Sequence, residues 1–257
     1  PFPVNSYLDI FLNTSLIHLF YGEVTNNCCG FSNRCAIIDF RVQLMLIGSF
    51  GLRLIITIFI IEEVFGNMNE IINALYQRKS VRVFTDDPIT DEDKKLILTS
   101  AIQAPSAGCQ LLYTILDITD QTKKDRLADL CDHQAFIAAG QMVLIFCADC
   151  QKWDAFYKEA GISPRCPGAG DLLLAVEDAM IAAQNAVVAA ESLGIGSCYI
   201  GDIMENVEEI RTLLALPEYV YPACMLVFGH PTAQQQNRTK PSRFDLSDIV
   251  CENAYQK

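Results

Sequence analysis

Residues 68–257 read as a mixed α/β domain with few strands and one long central helix. Three observations predict it. Short apolar runs of strand length, above all Gln141–Asp149, stand apart from one another. Stretches with helical spacing of apolar residues separate them. One Ala-rich stretch, from Asp171 to a terminal Gly194, is far longer than any other.

The elements follow in order. Ile71, Ile72 and Leu75 lie at helical spacing within Asn69–Arg78, a short helix. Arg78–Phe84, RKSVRVF, is a basic extended segment, and TDDPIT is a turn. Thr90, with Asp93 three residues on, caps a helix over Asp91–Gln103 that buries Leu96, Ile97 and Ala101. APSAG at 104–108 ends it. Leu112–Thr119 is a strand, and TKKDRLADLC is helical. Gln141–Asp149 carries a continuous apolar run between its polar ends, as a central strand covered on both faces would. A polar loop with Pro164, Pro167, Gly168 and Gly170 leads to the long helix, which ends at Gly194. That helix is apolar nearly all round and belongs in a core or subunit interface. Glu177, Asp178, Gln184, Asn185 and Glu191 interrupt it too often for a membrane span. IGSCYIG reads as a Gly-rich turn. A helix over Asn206–Leu214, a strand over Pro222–His230 and a polar, extended tail complete the chain.

The formal net charge of the 257 residues is -12, which argues against nucleic acid or a polybasic membrane surface as partner. Eleven cysteines without framework spacing suit a reduced, cytoplasmic protein. Composition shifts sharply at residue 68. Residues 1–67 carry 3 Lys+Arg and 5 Asp+Glu and show no steady period; residues 68–257 carry 16 and 26. Val42–Ile61 is long and apolar enough for a membrane anchor, although Arg53 near its middle is costly there. The favoured expectation is upstream DNA translated in frame. Glu62-Glu63-Val64 can be encoded GAG GAG GTN, which contains AGGAGGT, a bacterial ribosome-binding sequence, shortly before Met68.

Chemistry concentrates in four places. Arg78, Lys79, Ser80 and Arg82 gather three cations and a hydroxyl in an acidic chain. In an extended segment Arg78, Ser80 and Arg82 share one side, which suits a phosphate monoester; a solvated basic turn is the alternative. Asn237–Arg243, NRTKPSR, is a second basic knot. APSAGCQ leaves room for a flat ligand near the backbone. LGIGSCYIG is not a dinucleotide fingerprint, because no helix follows a G-x-G-x-x-G.

Taken in order, R-x-S-x-R, A-P-S-x-G, G-x-G-S-x-x-I-G after a long Ala-rich helix, then G-x-P and a late basic knot resemble the FMN-dependent nitroreductase family over residues 69–257. The resemblance implies an α+β sandwich with a central, mostly antiparallel sheet flanked by helices. It also implies an intertwined homodimer with FMN at the subunit interface. Arg78, Lys79, Ser80 and Arg82 would hold the FMN phosphate, ribityl chain and pyrimidine edge, and Arg238 and Lys240 would complete the phosphate clamp. Pro105, Ser106, Ala107 and Cys109 would line the cofactor from the partner subunit. Tyr199, Ile200 and Gly201 would offer backbone groups near the reactive flavin edge. The long helix would form the dimer core.

The implied activity is hydride uptake from NAD(P)H and electron delivery to a nitroaromatic, quinone or similar acceptor, with no side chain strictly required as acid or nucleophile. A flavin-binding sensor or carrier without turnover is the rival, and a membrane-anchored oxidoreductase follows only if residues 42–61 are an anchor. One departure stands out: many family members read A-P-S-x-G-N-x-Q-P-W, whereas this chain reads APSAGCQLLY. Cys109 replaces an amide with a thiol, a weak hydrogen-bonding group, and packing is its expected role. No metal is expected. The C-x-x-C of Cys147 and Cys150 lacks a thioredoxin-like context, and His133 and His230 stand alone.

Overall fold

The computed structural model describes residues 69–256, which belong to a compact unit over Asn69–Lys257. The expectations of upstream translation and of an anchor over 42–61 lie outside the described residues. Helix α1 (Glu70–Gln77) is capped by Asn69, whose side chain accepts from the Ile72 N–H at 3.0 Å. Helix α2 (Asp91–Ala101) is capped by Thr90, which accepts from the Asp93 N–H at 3.0 Å and donates to its carboxylate at 2.8 Å. A 3₁₀ turn at Ala107–Cys109 leads to β1 (Tyr113–Asp117). Asp120 caps α3 (Gln121–Leu130), and a short α4 (Ala135–Ala138) follows. Then come β2 (Met142–Asp149), α5 (Gln151–Glu159), α6 (Ala169–Ser192), β3 (Gly196–Ile200), α7 (Val207–Leu213), β4 (Val220–Gly229), α8 (Ala233–Asn237) and α9 (Leu246–Ile249).

The four strands form one antiparallel sheet in the order β1-β2-β4-β3. Period-two alternation divides the two central strands between two cores. Leu144 and Phe146 of β2, with Leu226 and Phe228 of β4, pack under α2 and the alanine face of α6. Val143 and Ile145, with Met225 and Val227, pack under α3, α4 and α7. Both faces are therefore covered, which is why β2 is apolar from Met142 to Ala148 and reads as a continuous run.

Several expectations need correction. Leu96 is 52% exposed, so α2 buries only Ile97 and Ala101. The first strand is shorter than Leu112–Thr119, because Leu112 belongs to the preceding loop. The long helix starts two residues before Asp171 and ends at Ser192, and Gly194, with φ +73°, turns the chain out of it. The loop expected before that helix contains α5, and the Gly-rich turn expected after it contains β3. The tail holds two short helices. The long helix is not buried all round: Ala175, Ala179, Ala182, Ala183, Ala186 and Ala190 face the sheet, while Leu173, Met180 and Ile181 are exposed.

Candidate functional site

The site grows from the C-terminal end of α1. Arg78 is its C-cap, and there the backbone turns into the extended segment 79–84. Ser80 pairs in parallel with Ser197 of β3, and the Val81 N–H donates to the Ser197 carbonyl at 2.9 Å. Such close approach requires glycine on the sheet. A Cβ at Gly196 would lie 2.6 Å from Val81 Cγ2 and 2.8 Å from Val81 Cβ. A Cβ at Gly229, the cross-strand partner of Gly196, would lie 2.6 Å from the Phe84 ring. Two facing glycines thus seat the basic segment on the rim of the sheet.

The tail then returns to that segment. Phe84 pairs with Pro231, and the Thr85 N–H donates to the His230 carbonyl at 2.8 Å. The Arg82 N–H donates to Gln235 Oε1 at 3.3 Å, and Lys79 Nζ to the Gln236 carbonyl at 2.6 Å. The Arg238 guanidinium donates to the Ser80 carbonyl. Lys240 Nζ donates to the Leu75 and Tyr76 carbonyls at 2.9 and 2.7 Å, at the negative end of the α1 dipole. Arg78, Lys79, Arg82, Arg238 and Lys240, distant in sequence, therefore share one region.

The electrostatics of this region are crowded. Burial lowers the Lys240 pKa, and Arg243 and Arg78 push it the same way against Glu191. Burial raises the Glu191 carboxyl, opposed by Arg78, Lys79 and Lys240. Burial also raises the Cys198 thiol, opposed by Arg82, by a Ser80 hydrogen bond and by Arg78, so all three act on one residue of β3. Arg82 is held 5.9 Å from the Phe136 ring centroid, a cation–π contact. Arg78 Nε is buried and has no hydrogen-bond partner among the described residues. One carboxylate, Glu191, faces a cluster of cations with a donor to spare, which fits an anion such as a phosphate.

The Pro105–Cys109 loop is built elsewhere. Ser106 Oγ donates to Asp178 Oδ2 at 2.7 Å, and the Ala107 and Leu112 N–H groups donate to the same carboxylate at 3.0 and 3.2 Å. Asp178 and Glu191 both lie on α6, thirteen residues apart, or about 20 Å at the α-helical rise. Within one chain the loop and the basic cluster are therefore not brought together. A cleft of about 250 Å³, lined by Gln110, Leu112, Trp153, Tyr157 and Arg165 among others, sits beside the loop and not at the cluster.

At the other end of the sheet rim, Ile200 is buried and the Tyr199 hydroxyl donates to Gln184 Oε1 at 3.3 Å. Gly201 is exposed, with nothing within 4 Å of where a Cβ would stand. The Cys147 and Cys224 thiols are buried in the sheet and pushed up to about 12, far from thiolate.

Residues 75–230 match the model of the Nitroreductase family. The chain belongs to that family. It is 34% identical over 189 residues to the oxygen-insensitive NADPH nitroreductase of Salmonella typhimurium, covering 74% of this chain and 76% of that one. It is 32% identical over 190 residues to the FMN reductase (NADPH) of Bacillus subtilis, covering 73% and 75%. The solved structure of the NADPH:FMN oxidoreductase of Vibrio harveyi complexed with NAD+ superposes with a TM-score of 0.68 at 32% identity, covering 74% and 79%. The antiparallel sheet between helical layers is thus a nitroreductase fold.

Asp178, Lys152, Trp153 and Glu191 of this nitroreductase were not among the expected site residues. Asp178 carried a usable signal: a charge inside an Ala-rich buried stretch requires partners. Lys152 and Trp153 lie in α5, within the stretch read as loop.

Proposed function

We propose that this nitroreductase is an FMN-dependent oxidoreductase that uses NAD(P)H and reduces a small planar acceptor such as a nitroaromatic or quinone. The observation that carries this reading is the basic cluster joining residues 78–82 to 238–240, with Arg78 Nε buried and unpartnered. Arg78, Lys79, Ser80, Arg238 and Lys240 would hold the FMN phosphate. Arg82, steadied by Gln235 and Phe136, would place positive charge beside the flavin's pyrimidine edge. Open space at Gly201 admits a flat ring against the backbone. Bound FMN supplies hydride uptake from the nicotinamide and electron delivery to the acceptor, while the chain supplies position and electrostatics.

The relatives' names support both the flavin and the nicotinamide. A homodimer is part of the proposal. The loop 105–109 stands about 20 Å along α6 from the phosphate cluster, so a second copy can bring its own loop to the first copy's cluster. The exposed Leu173, Met180 and Ile181 on the far face of α6 are the apolar surface such a copy would cover. The eight described cysteines are all free, which supports a reducing, cytoplasmic setting.

The test is anaerobic titration of the purified full chain. A yellow protein that NADPH or NADH bleaches, and that a nitroaromatic or quinone recolours, is the expected result. A colourless chain that takes up no FMN overturns the reading. A yellow chain that neither nicotinamide bleaches makes it a flavin-binding protein without turnover.

A further inference from the structure

The loop ahead of β1 is strained and clamped from two sides. Gly108, Cys109 and Leu111 have φ of +57°, +56° and +49°, left-handed values that non-glycine residues adopt only where their surroundings enforce them. On one side Asp178, 3% exposed, accepts from the Ser106 hydroxyl and from the Ala107 and Leu112 N–H groups. On the other, the first turn of α5 donates to carbonyls of the loop and of Tyr113, the first residue of β1. Lys152 Nζ bonds the Leu111 and Tyr113 carbonyls at 3.0 and 2.5 Å, and Trp153 Nε1 bonds the Gln110 carbonyl at 2.8 Å. Ser106 Oγ also accepts the Leu111 N–H at 2.7 Å, which closes the loop on itself.

The two clamps are complementary. A carboxylate can only accept and takes N–H and O–H groups; an ammonium and an indole can only donate and take carbonyls. Between them they hold the backbone on both flanks of the tip, while Gly108 and Cys109 stay exposed. We infer that Asp178, Lys152 and Trp153 are positioning residues that fix the shape of the 107–109 tip for the flavin. The inference rests on the proposed FMN site, where that tip meets the cofactor. The three residues touch no reacting group and act through the loop's backbone. Their part in FMN binding is to hold the left-handed residues in place before the cofactor arrives, so that ordering them does not subtract from affinity.

The experiment measures FMN dissociation constants on the apo form of the full chain, alongside its thermal unfolding. Trp153→Phe keeps a ring against Phe156 and Tyr157 but loses the indole N–H. It is expected to raise Kd about fivefold, the worth of one neutral hydrogen bond. Asp178→Asn is expected to raise it more than about tenfold, because the bonds lost are charge-assisted. Leu111→Gly added to Trp153→Phe is expected to return Kd to within about twofold of wild type, since glycine adopts the left-handed shape without enforcement.

A purely structural role would lower the unfolding midpoint and leave the Kd of the folded protein unmoved. Trp153→Phe with Kd within about twofold of wild type overturns the inference, and so does a rise that Leu111→Gly fails to reverse. If Asp178→Asn does not fold, the Trp153 pair alone decides. A wild-type chain that binds no FMN sinks the functional reading and the inference with it, whereas failure confined to the variants sinks the inference alone.

Discussion

Gly196→Ala tests whether the seat of the basic segment is steric. The new Cβ would lie 2.6, 2.8 and 3.1 Å from Val81 Cγ2, Cβ and Cγ1. The 2.8 Å contact decides the outcome, because Val81 Cβ is fixed to the backbone and no rotamer moves it away. The segment must lift from β3, breaking the Val81–Ser197 bond and shifting Arg78, Ser80 and Arg82 together. Overpacking of this kind costs about 2 kcal/mol, or roughly 4–8 °C in unfolding midpoint for a domain of this size. FMN affinity is expected to fall in parallel. Adding Val81→Ala removes both γ carbons but leaves the 2.8 Å contact, so it recovers only part of the loss; Val81→Gly clears all three contacts and couples more favourably. Thermal unfolding of six proteins, the wild type, the three single variants and the two double variants, gives the two cycles. A Gly196→Ala midpoint within about 1 °C of wild type, or equal coupling for Val81→Ala and Val81→Gly, refutes the steric account.

Arg78→Ala removes a buried donor of the proposed phosphate site and should raise the FMN Kd about 10- to 100-fold, the range for a charge-assisted bond; unchanged retention in a fluorescence titration removes Arg78 from that site. Cys109→Asn puts a residue that tolerates left-handed backbone at φ +56°. FMN should bind equally or more tightly and the midpoint should hold or rise; loss of turnover with FMN still bound would assign the thiol a chemical role. The Asp171 carboxyl is held at about 2, against an ordinary 3.8, chiefly by the Arg165 hydrogen bond and then by the Gly168 N–H. A lowered folded-state value stabilises the protein above the ordinary value and is lost as pH falls from about 4 toward 2. Asp171→Asn should therefore flatten the acid limb of the midpoint-against-pH curve, and an unchanged limb between those values counts against the pairing.

The elements legible in the sequence are those whose local pattern and tertiary role agree. β2 is apolar from Met142 to Ala148 because both of its faces are covered, and α2 is announced by the Thr90–Asp93 cap. β3 was hidden because Gly196, which usually marks a turn, serves close approach to Val81. α2 showed its period but not its face, since Leu96 points outward. The cations were visible against an acidic chain, but nothing local could reveal that Arg238 and Lys240 fold back onto residues 75–80. Asp178 looked like an interruption of a buried helix, yet it is the residue to which the 106–112 loop is tied.

α6 therefore has two different dependencies. Its alanine face is satisfied by the sheet of its own chain, and its only deeply buried charge is satisfied by its own loop. The face carrying Leu173, Met180 and Ile181 has no such cover among the described residues. In the proposed site the loop and the phosphate cluster, anchored about 20 Å apart along that same helix, would meet one flavin through a second chain. The proposed dimer would answer both: a second copy laid along α6 would cover the apolar face and supply the loop. On this account FMN affinity and dimer stability are linked, because the helix that would join the copies also carries the Asp178 anchor of the loop.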